Sequence, residues 1–157
     1  MDKQPISIAG FRKLQGRLRQ LKEVERPQVL DAVRRARDLG DLSENADYKT
    51  AREAQRNIDG EIRRLEAIAG NASIINVAAL SGDRVMFGAT VFVEDDDGRK
   101  VKYKILSEYE ANLSENIIAI TSPLARGLVG RRVGDTCVIR TPSGEKEYEI
   151  TDVKYGD

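Results

Sequence analysis

The stretch Gly40–Tyr48, with the sequence GDLSENADY, connects two segments that have the hydrophobic spacing of long amphipathic helices. The apolar stripes are Phe11, Leu14, Leu18, Leu21, Val29 or Leu30, Val33 and Ala36 in the first segment, and Tyr48, Ala51, Gln55, Ile58, Ile62, Leu65 and Ala69 in the second. Spacings of three and four are typical of a coiled-coil seam. Because so short a connection makes consecutive helices antiparallel neighbours, the sequence predicts a helical hairpin with an acidic tip near residues 40–48. With about 30 residues per helix and about 1.5 Å per residue, each arm would be about 45 Å long.

Helix boundary signals support this interpretation. Ser7 is a favourable N-cap residue, Gly40 occupies a position suited to a C-terminal cap, and Gly70 ends the second stripe. Pro27 lies inside the first segment, where it lacks a backbone donor and clashes with the preceding turn. We therefore expect the first helix to kink or restart at Pro27.

After Gly70 the pattern changes to short runs typical of β-strands. These runs are residues 74–77, 90–93, 101–105, 117–120, 136–139 and 148–153, with turn sequences between several of them. Ser122 and Pro123 predict the N-cap and first residue of one short helix. The fold class is therefore α+β. We place a hairpin domain at residues 1–76 and a small α+β domain at residues 77–157.

The composition excludes several kinds of site. The chain has no histidine and one cysteine, so Ser-His and Cys-His nucleophilic sites and an internal disulfide are excluded, and so is a structural zinc site. Cys137 is predicted to be a buried strand residue. Lys plus Arg and Asp plus Glu both number 26, which argues against nucleic-acid binding by bulk charge alone. Residues 1–76 carry 15 basic and 12 acidic side chains, and residues 77–157 carry 11 and 14.

The hydropathy and the N-terminal residues indicate a cytoplasmic protein with no membrane partner. No apolar run approaches the roughly 18 residues of a membrane-spanning helix. The polar start Met1–Gln4 is not a secretory signal.

Two carboxylates of the tip, Asp41 and Glu44, are three residues apart. On one turn of helix they would point to the same side and could share a Mg²⁺ ion. Such a pair would hold the ion weakly until substrate phosphates and ligands from a partner completed the shell, as in half of a two-metal phosphodiester site. The same spacing is also a helix-start pattern, with Asp41 as N-cap and Glu44 in the first turn. Asp47 is expected to be an exposed acid of the first turn.

Basic residues flank the tip on both helices. They are Arg34, Arg35, Arg37, Lys49, Arg52 and Arg56. A one-sided cluster of this kind attracts a nucleic-acid backbone. The alternative is that these residues form ordinary surface ion pairs with Asp38, Glu53 or Asp59.

Three stretches of the chain resemble the Gre transcript cleavage factors of bacterial RNA polymerase, and within that family the GreA branch. They are Gly10–Leu14 (GFRKL), Gly40–Tyr48 continuing into Ala51–Glu53, and Ser122–Gly130 (SPLARGLVG). The resemblance implies an antiparallel coiled-coil hairpin that enters the polymerase secondary channel, followed by a small domain of the FK506-binding-protein type that docks on the channel rim.

The resemblance also implies roles for individual residues. Asp41 and Glu44 match the acidic pair that helps to place the second Mg²⁺ and the attacking water in the polymerase active centre, where backtracked RNA is cut near its 3′ end. Arg37 and Arg52 match positions proposed to steer the RNA 3′ end, and Ser122 and Pro123 fall in the region associated with polymerase docking. The factor would be a monomer that stimulates the nuclease activity of the polymerase, would not itself be an enzyme, and would hold no tightly bound cofactor when free.

Two other functions remain open from the sequence. The C-terminal domain could be a prolyl isomerase or chaperone, which requires an apolar pocket lined by aromatic side chains. The hairpin could instead bind the channel as a non-catalytic regulator. Loss of cleavage on substitution of Asp41 or Glu44 distinguishes that regulator from a cleavage factor.

Overall fold

The computed structural model describes residues 3–40 and 45–156. These residues form two compact units. The first unit is Phe11–Ala72, and the second joins the described residues up to Gly10 with those from Ser73 onward. Helices dominate the first unit and strands dominate the second, so the predicted α+β class is confirmed. Within the described ranges, no helix has the length and apolar character needed to cross a membrane.

The helices form an antiparallel hairpin, as predicted. Their bounds are α1 Ile8–Gln20, a π-helical segment Leu21–Glu25, α2 Arg26–Asp38 and α3 Ala46–Gly70. Contacts between the arms run in opposite chain directions. Asn45 bonds to Ala36 near the tip, Arg26 Nε lies 2.9 Å from Asp59 Oδ1, and Lys22 Nζ lies 3.3 Å from Glu66 Oε2.

The α-helix restarts at Arg26, one residue before Pro27, after a π turn, which confirms the predicted restart. The backbone N–H of Arg26 donates to the carbonyl of Leu21, five residues earlier, instead of the usual four. Pro27 then falls in the first turn of α2, where its missing N–H has no intrahelical partner in any case. The π segment therefore accommodates the proline between two α-helical segments.

The π segment also keeps the buried residues of the first arm on one face. Leu21 and Val33 are twelve positions apart, which in an uninterrupted α-helix would place them about 120° apart. The π turn holds one extra residue, so the effective separation is about eleven positions and the angular difference falls to about 20°. Leu14, Leu21, Val33 and Ala36 are accordingly all buried. The gap in the sequence pattern is thus a change of helical phase.

The second arm follows its predicted stripe. Ala51, Ile62 and Leu65 are buried in α3, and the other stripe residues are partly exposed. The helix ends at Gly70, as expected. The core of this unit is therefore the seam that the sequence predicted.

The second unit contains two sheets. Strands β1 Gln4–Ser7 and β2 Ala72–Ile75 form a two-stranded sheet. The larger sheet has the order β5-β4-β3-β7-β6, in which only β4 and β5 are parallel neighbours. Its strands are β3 Thr90–Asp95, β4 Lys100–Leu106, β5 Ile117–Ala119, β6 Thr136–Thr141 and β7 Gly144–Lys154. The sequence predicted these five strands but not β1, and it placed β2 two residues too late.

One face of the larger sheet carries the core of this unit. The short helix α4, Pro123–Leu128, packs against β6 on this side through Ala125 and Leu128. The strand side chains in this core include Val91, Val93, Ile105, Ile118, Cys137, Ile139, Tyr148, Ile150 and Val153. Cys137 is thus a buried strand residue, as predicted, and burial raises the pKa of its thiol.

Candidate functional site

Asp41 and Glu44, predicted as the catalytic and metal-binding pair, lie outside the described residues. The structure describes the frame on either side of them. Asn45 is the N-cap residue of α3, and its Oδ1 accepts the backbone N–H of Tyr48 at 3.0 Å. Its Nδ2 donates to the carbonyl oxygen of Ala36 in α2 at 2.6 Å. One side chain therefore caps the second helix and ties it to the first.

This frame corrects one alternative interpretation of the tip. The helix-start pattern allowed Asp41 to be the N-cap residue, but α3 begins at Ala46 and its N-cap residue is Asn45. The two residue types do not distinguish the positions, because Asn caps a helix as well as Asp does, and the contact of Asn45 with Ala36 is not visible in the local sequence. Asp47 is an exposed acid of the first turn, as predicted.

Gly40 closes the first arm as the sequence indicated. Helix α2 ends at Asp38 with Leu39 as its C-cap residue, and Gly40 has a φ of 130°. This φ is accessible to glycine at little cost and strained for other residues. Leu39 is 73% exposed, so an apolar side chain stands beside the segment that carries the acidic pair.

Arg37 and Arg52, the predicted RNA-contact residues, lie on one side of the hairpin end. The Arg37 guanidinium carbon is 6.0 Å from the centre of the Tyr48 ring. Arg52 is one helical turn after Tyr48 and therefore shares its face, and Arg52 Nη1 donates to Gln55 Oε1 at 2.7 Å. Neither arginine belongs to an ion pair among the residues at 3–40 and 45–156.

Arg34 and Arg35, two of the basic residues predicted to flank the tip, are paired, although not with the predicted acids. Arg34 and Arg35 both contact Asp31, at 2.5 and 2.8 Å. Asp59 pairs with Arg26 instead of a residue near the tip. At this end of the hairpin, Arg37, Lys49, Arg52 and Arg56 belong to no ion pair among the described residues and keep their positive charge available to a ligand.

A three-residue network ties the two arms farther from the tip. Arg17 contacts Glu61 at 2.9 Å through Nε and Glu25 at 2.5 Å through Nη1. The hydrogen bond from Arg17 lowers the pKa of Glu61, and the same bond raises the pKa of Arg17. No local sequence pattern indicates this network, because its members are up to 44 positions apart.

Ser122 and Pro123 occupy the positions that the sequence predicted. Ser122 is the N-cap residue of α4, and its Oγ accepts the N–H of Ala125 at 3.1 Å. Pro123 is the first residue of the helix. These contacts explain the two residue types structurally, and a docking role remains a proposal.

Sequence reasoning missed Glu110, which joins the start of the chain to the second unit. Its carboxylate accepts hydrogen bonds from the backbone N–H and hydroxyl of Ser7, and from the backbone N–H and hydroxyl of Ser107. Ser7 in turn caps α1 by accepting the N–H of Gly10 at 3.0 Å. In a capping box, a Glu three residues after the N-cap residue bonds back to the N-cap backbone N–H. Gly10 occupies that position in α1 and has no side chain, so the carboxylate that bonds to Ser7 has to come from another part of the chain.

Several aromatic residues of the second unit take part in its internal packing. Phe87 and Tyr148 are buried at 8% exposure, and the Tyr155 hydroxyl donates to the carbonyl of Arg84. Burial raises the pKa of Tyr103 and of Tyr155. A cavity of about 370 Å³ in this unit has no aromatic side chain in its lining, which consists of Glu94, Asp95, Asp96, Gly98, Thr136, Glu147 and Glu149. Its acidic character does not fit a proline side chain.

Comparison with known proteins identifies a family for both parts of the chain. Residues 4–74 match the family described as transcription elongation factor, N-terminal. Residues 80–155 match the family described as transcription elongation factor, GreA/GreB, C-term.

Individual relatives match over almost the whole chain. A protein of Rickettsia canadensis named transcription elongation factor GreA is 46% identical over 152 residues, which is 96% of this chain and 94% of that protein. A protein of the same name from Anaeromyxobacter sp. strain K is 47% identical over 156 residues, covering 99% and 94%. The solved structure of Gfh1 from Thermus aquaticus is 25% identical, with a TM-score of 0.46 and coverage of 98% and 99%. On the two family matches and these sequence relatives, the chain belongs to the GreA/GreB family of transcription elongation factors.

Proposed function

We propose that this elongation factor binds bacterial RNA polymerase through the secondary channel and stimulates the polymerase's own Mg²⁺-dependent cleavage of backtracked RNA. The family supports a role in elongation, and its relatives carry the name GreA. The factor itself is not an enzyme in this proposal. It supplies acidic residues to a site that the polymerase completes, and so rescues arrested complexes in the cytoplasm.

The observation that carries the proposal is the Asn45 bridge. The side chain of Asn45 bonds both to α3 and to the last turns of α2, so the two ends of the 41–44 segment are held close together. Two of the four residues in that segment are the carboxylates Asp41 and Glu44. The segment that contains the acidic pair therefore starts and ends at helices that are tied together, an arrangement suited to inserting it into a partner's site.

The carboxylates of Asp41 and Glu44 suit a Mg²⁺ ion that is shared with a partner better than one that the free protein holds alone. Mg²⁺ binds proteins through one or two carboxylates together with water and substrate phosphates, and Asp41 and Glu44 supply two carboxylates. Across the described part of the chain, no group of three or more acidic or cysteine residues is placed to hold a metal ion. When bound, the metal would neutralise phosphate charge and lower the pKa of a coordinated water.

Arg37 and Arg52 supply positive charge beside the acidic pair. Their lack of ion-pair partners among the described residues leaves both guanidinium groups available to phosphates of the RNA 3′ end. Ser122 and Pro123 belong to the second unit and are assigned to docking on the polymerase. A monomer is sufficient for each of these contacts.

The test is RNA cleavage in purified, backtracked polymerase complexes, with Asp41→Ala and Glu44→Ala compared with the natural protein. We expect each substitution to slow stimulated cleavage at least about tenfold, equivalent to about 1.4 kcal/mol of transition-state stabilisation, while binding to the polymerase is retained. Asp47→Ala is the matched control, because it removes an exposed acid from the same end of α3 without touching the pair.

The outcomes separate the two channel-binding functions. Loss of cleavage in both alanine variants, with the Asp47→Ala control active, supports the cleavage factor. Unchanged cleavage in the Asp41→Ala and Glu44→Ala variants would overturn it. A factor that binds the polymerase without any stimulated cleavage would instead be a non-catalytic regulator.

A further inference from the structure

The outer face of the five-stranded sheet carries one aromatic side chain among lysines. On β3, Val91 and Val93 point into the core, so Thr90, Phe92 and Glu94 lie on the opposite face. Phe92 is only partly buried, whereas Val91 and Val93 are 0% and 1% exposed. An aromatic side chain that does not contribute to this core is available for another contact.

Lysines flank Phe92 on both neighbouring strands. On β4, Lys102 lies directly opposite Phe92, and Lys104 lies opposite Thr90. On β7, Lys154 lies opposite Thr90, and its Nζ is 5.3 Å from the centre of the Phe92 ring. We call Phe92, Lys102, Lys104 and Lys154 the Phe92 face.

The lysines of this face are weakly neutralised. Asp152 lies opposite Phe92 on β7, but its Oδ2 is 3.9 Å from Lys154 Nζ and its Oδ1 accepts the N–H of Val153. In the regions that the structure describes, Lys102 and Lys104 take part in no ion pair. The Lys154 side chain is 66% exposed, so it is free to swing away from the ring. In the three cross-strand rows centred on Phe92, this face carries four lysines (Lys100, Lys102, Lys104 and Lys154) and three acidic residues (Glu94, Glu149 and Asp152), so positive charge exceeds negative charge by one.

We propose that the Phe92 face binds single-stranded nucleic acid, with a base stacked on Phe92 and phosphates at the three lysines. An aromatic ring on an exposed sheet surface flanked by lysines combines the two interactions on which such binding depends, base stacking and attraction to the backbone. A duplex fits this surface poorly, because its bases are already stacked on one another. This inference does not depend on the cleavage function.

Stacking and charge predict different effects, which a binding experiment can separate. Fluorescence anisotropy of a labelled oligouridine is measured with the full chain over a range of salt concentrations. Phe92→Thr keeps a residue suited to a strand and removes the ring, and we expect it to weaken binding at least about fivefold. Lys102→Gln and Lys154→Gln should each lower the slope of log affinity against log salt by about 0.7.

Lys146→Gln is the matched control for charge. Lys146 is exposed on the same strand as Lys154 but lies opposite Ile139, on the other face of the sheet, so this variant should bind like the natural protein. Phe92→Thr binding with unchanged affinity would overturn the proposal, because the nucleic acid would then sit elsewhere, for example on the hairpin arginines. Equal affinity for a duplex of the same length, or for inorganic polyphosphate, would also overturn it. If Phe92→Thr does not fold, the exposed-lysine variants decide between the outcomes.

Discussion

Gly10→Ala should destabilise this protein, although alanine is the better helix former. Gly10 lies in α1, and a Cβ at this position would overlap Oε1 and Cδ of the Glu110 side chain. The carboxylate would have to move away from Ser7, with which it forms hydrogen bonds through the backbone N–H and the hydroxyl. The steric conflict is therefore with the group that fixes the start of the helix.

The magnitude follows from the bonds that are broken. A hydrogen bond to a charged acceptor contributes about 1.5–3 kcal/mol, and Ser7 is 7% exposed, so water replaces the lost partner poorly. Loss of both Ser7 bonds costs about 3 kcal/mol or more, and the helix propensity of alanine returns about 0.5–1 kcal/mol. The free energy of unfolding should fall by about 2 kcal/mol or more, which corresponds to a decrease in Tm of about 4–8 °C.

The assay is urea and thermal unfolding followed by circular dichroism, with Gly16→Ala as the matched control. Gly16 is also in α1, and a Cβ there meets no atom within 4 Å, so this substitution should stabilise the protein by about 0.5–1 kcal/mol. In a Glu110→Ala background, Gly10→Ala has no carboxylate to displace and should become stabilising. If Gly10→Ala and Gly16→Ala shift stability in the same direction, the assigned role of Glu110 is wrong.

Two further predictions concern the hairpin. Deletion of Lys22 removes the extra residue of the π turn and places Pro27 inside a continuous α-helix, which should lower the free energy of unfolding by about 3 kcal/mol. Leu21 and Val33 stay on one face of the helix in this variant. Adding Pro27→Ala should therefore restore most of the stability that the deletion removes, as measured by urea unfolding. Hydrogen bonding to Arg17 lowers the pKa of Glu61 from its ordinary value of 4.5, so its contribution to stability is present above that pH and is lost as the pH falls through the lowered pKa. Glu61→Gln should therefore lower the urea midpoint at pH 7 but have little effect once the pH is below the lowered pKa of Glu61, and an equal loss at both pH values would contradict this explanation.

The hairpin and the five main strands were predictable because each depends on local spacing. The stripe of α3 needs only the period of the helix, and Ser122 with Pro123 marks a helix start in adjacent residues. The sequence could also name Asp41 and Glu44 as a pair, since three positions separate them. Pro27 indicated that the helix of the first arm is interrupted. The π turn, which keeps the buried residues of that arm on one face, depends on packing against α3 and could not be predicted from local spacing.

The unpredicted features join residues that are far apart in the chain. Glu110 and Ser7 are separated by 103 positions, and no local pattern brings them together. Strand β1 has four residues and includes a proline, so its composition gives little strand signal, and its pairing with β2 depends on the fold. Asn45 was read as part of the acidic tip because its second bond, to Ala36, is visible only once the two helices are side by side.

The shared carboxylate of Glu110 has a consequence for how the chain emerges from the ribosome. The hairpin unit contains no residue beyond 72, whereas strand β1 must wait for β2, and Ser7 must wait for Glu110. Residues 4–7 are therefore among the last to acquire their native partners. A fragment that starts at residue 77 would lack both β1 and Ser7, so the second unit is incomplete without residues that precede the hairpin.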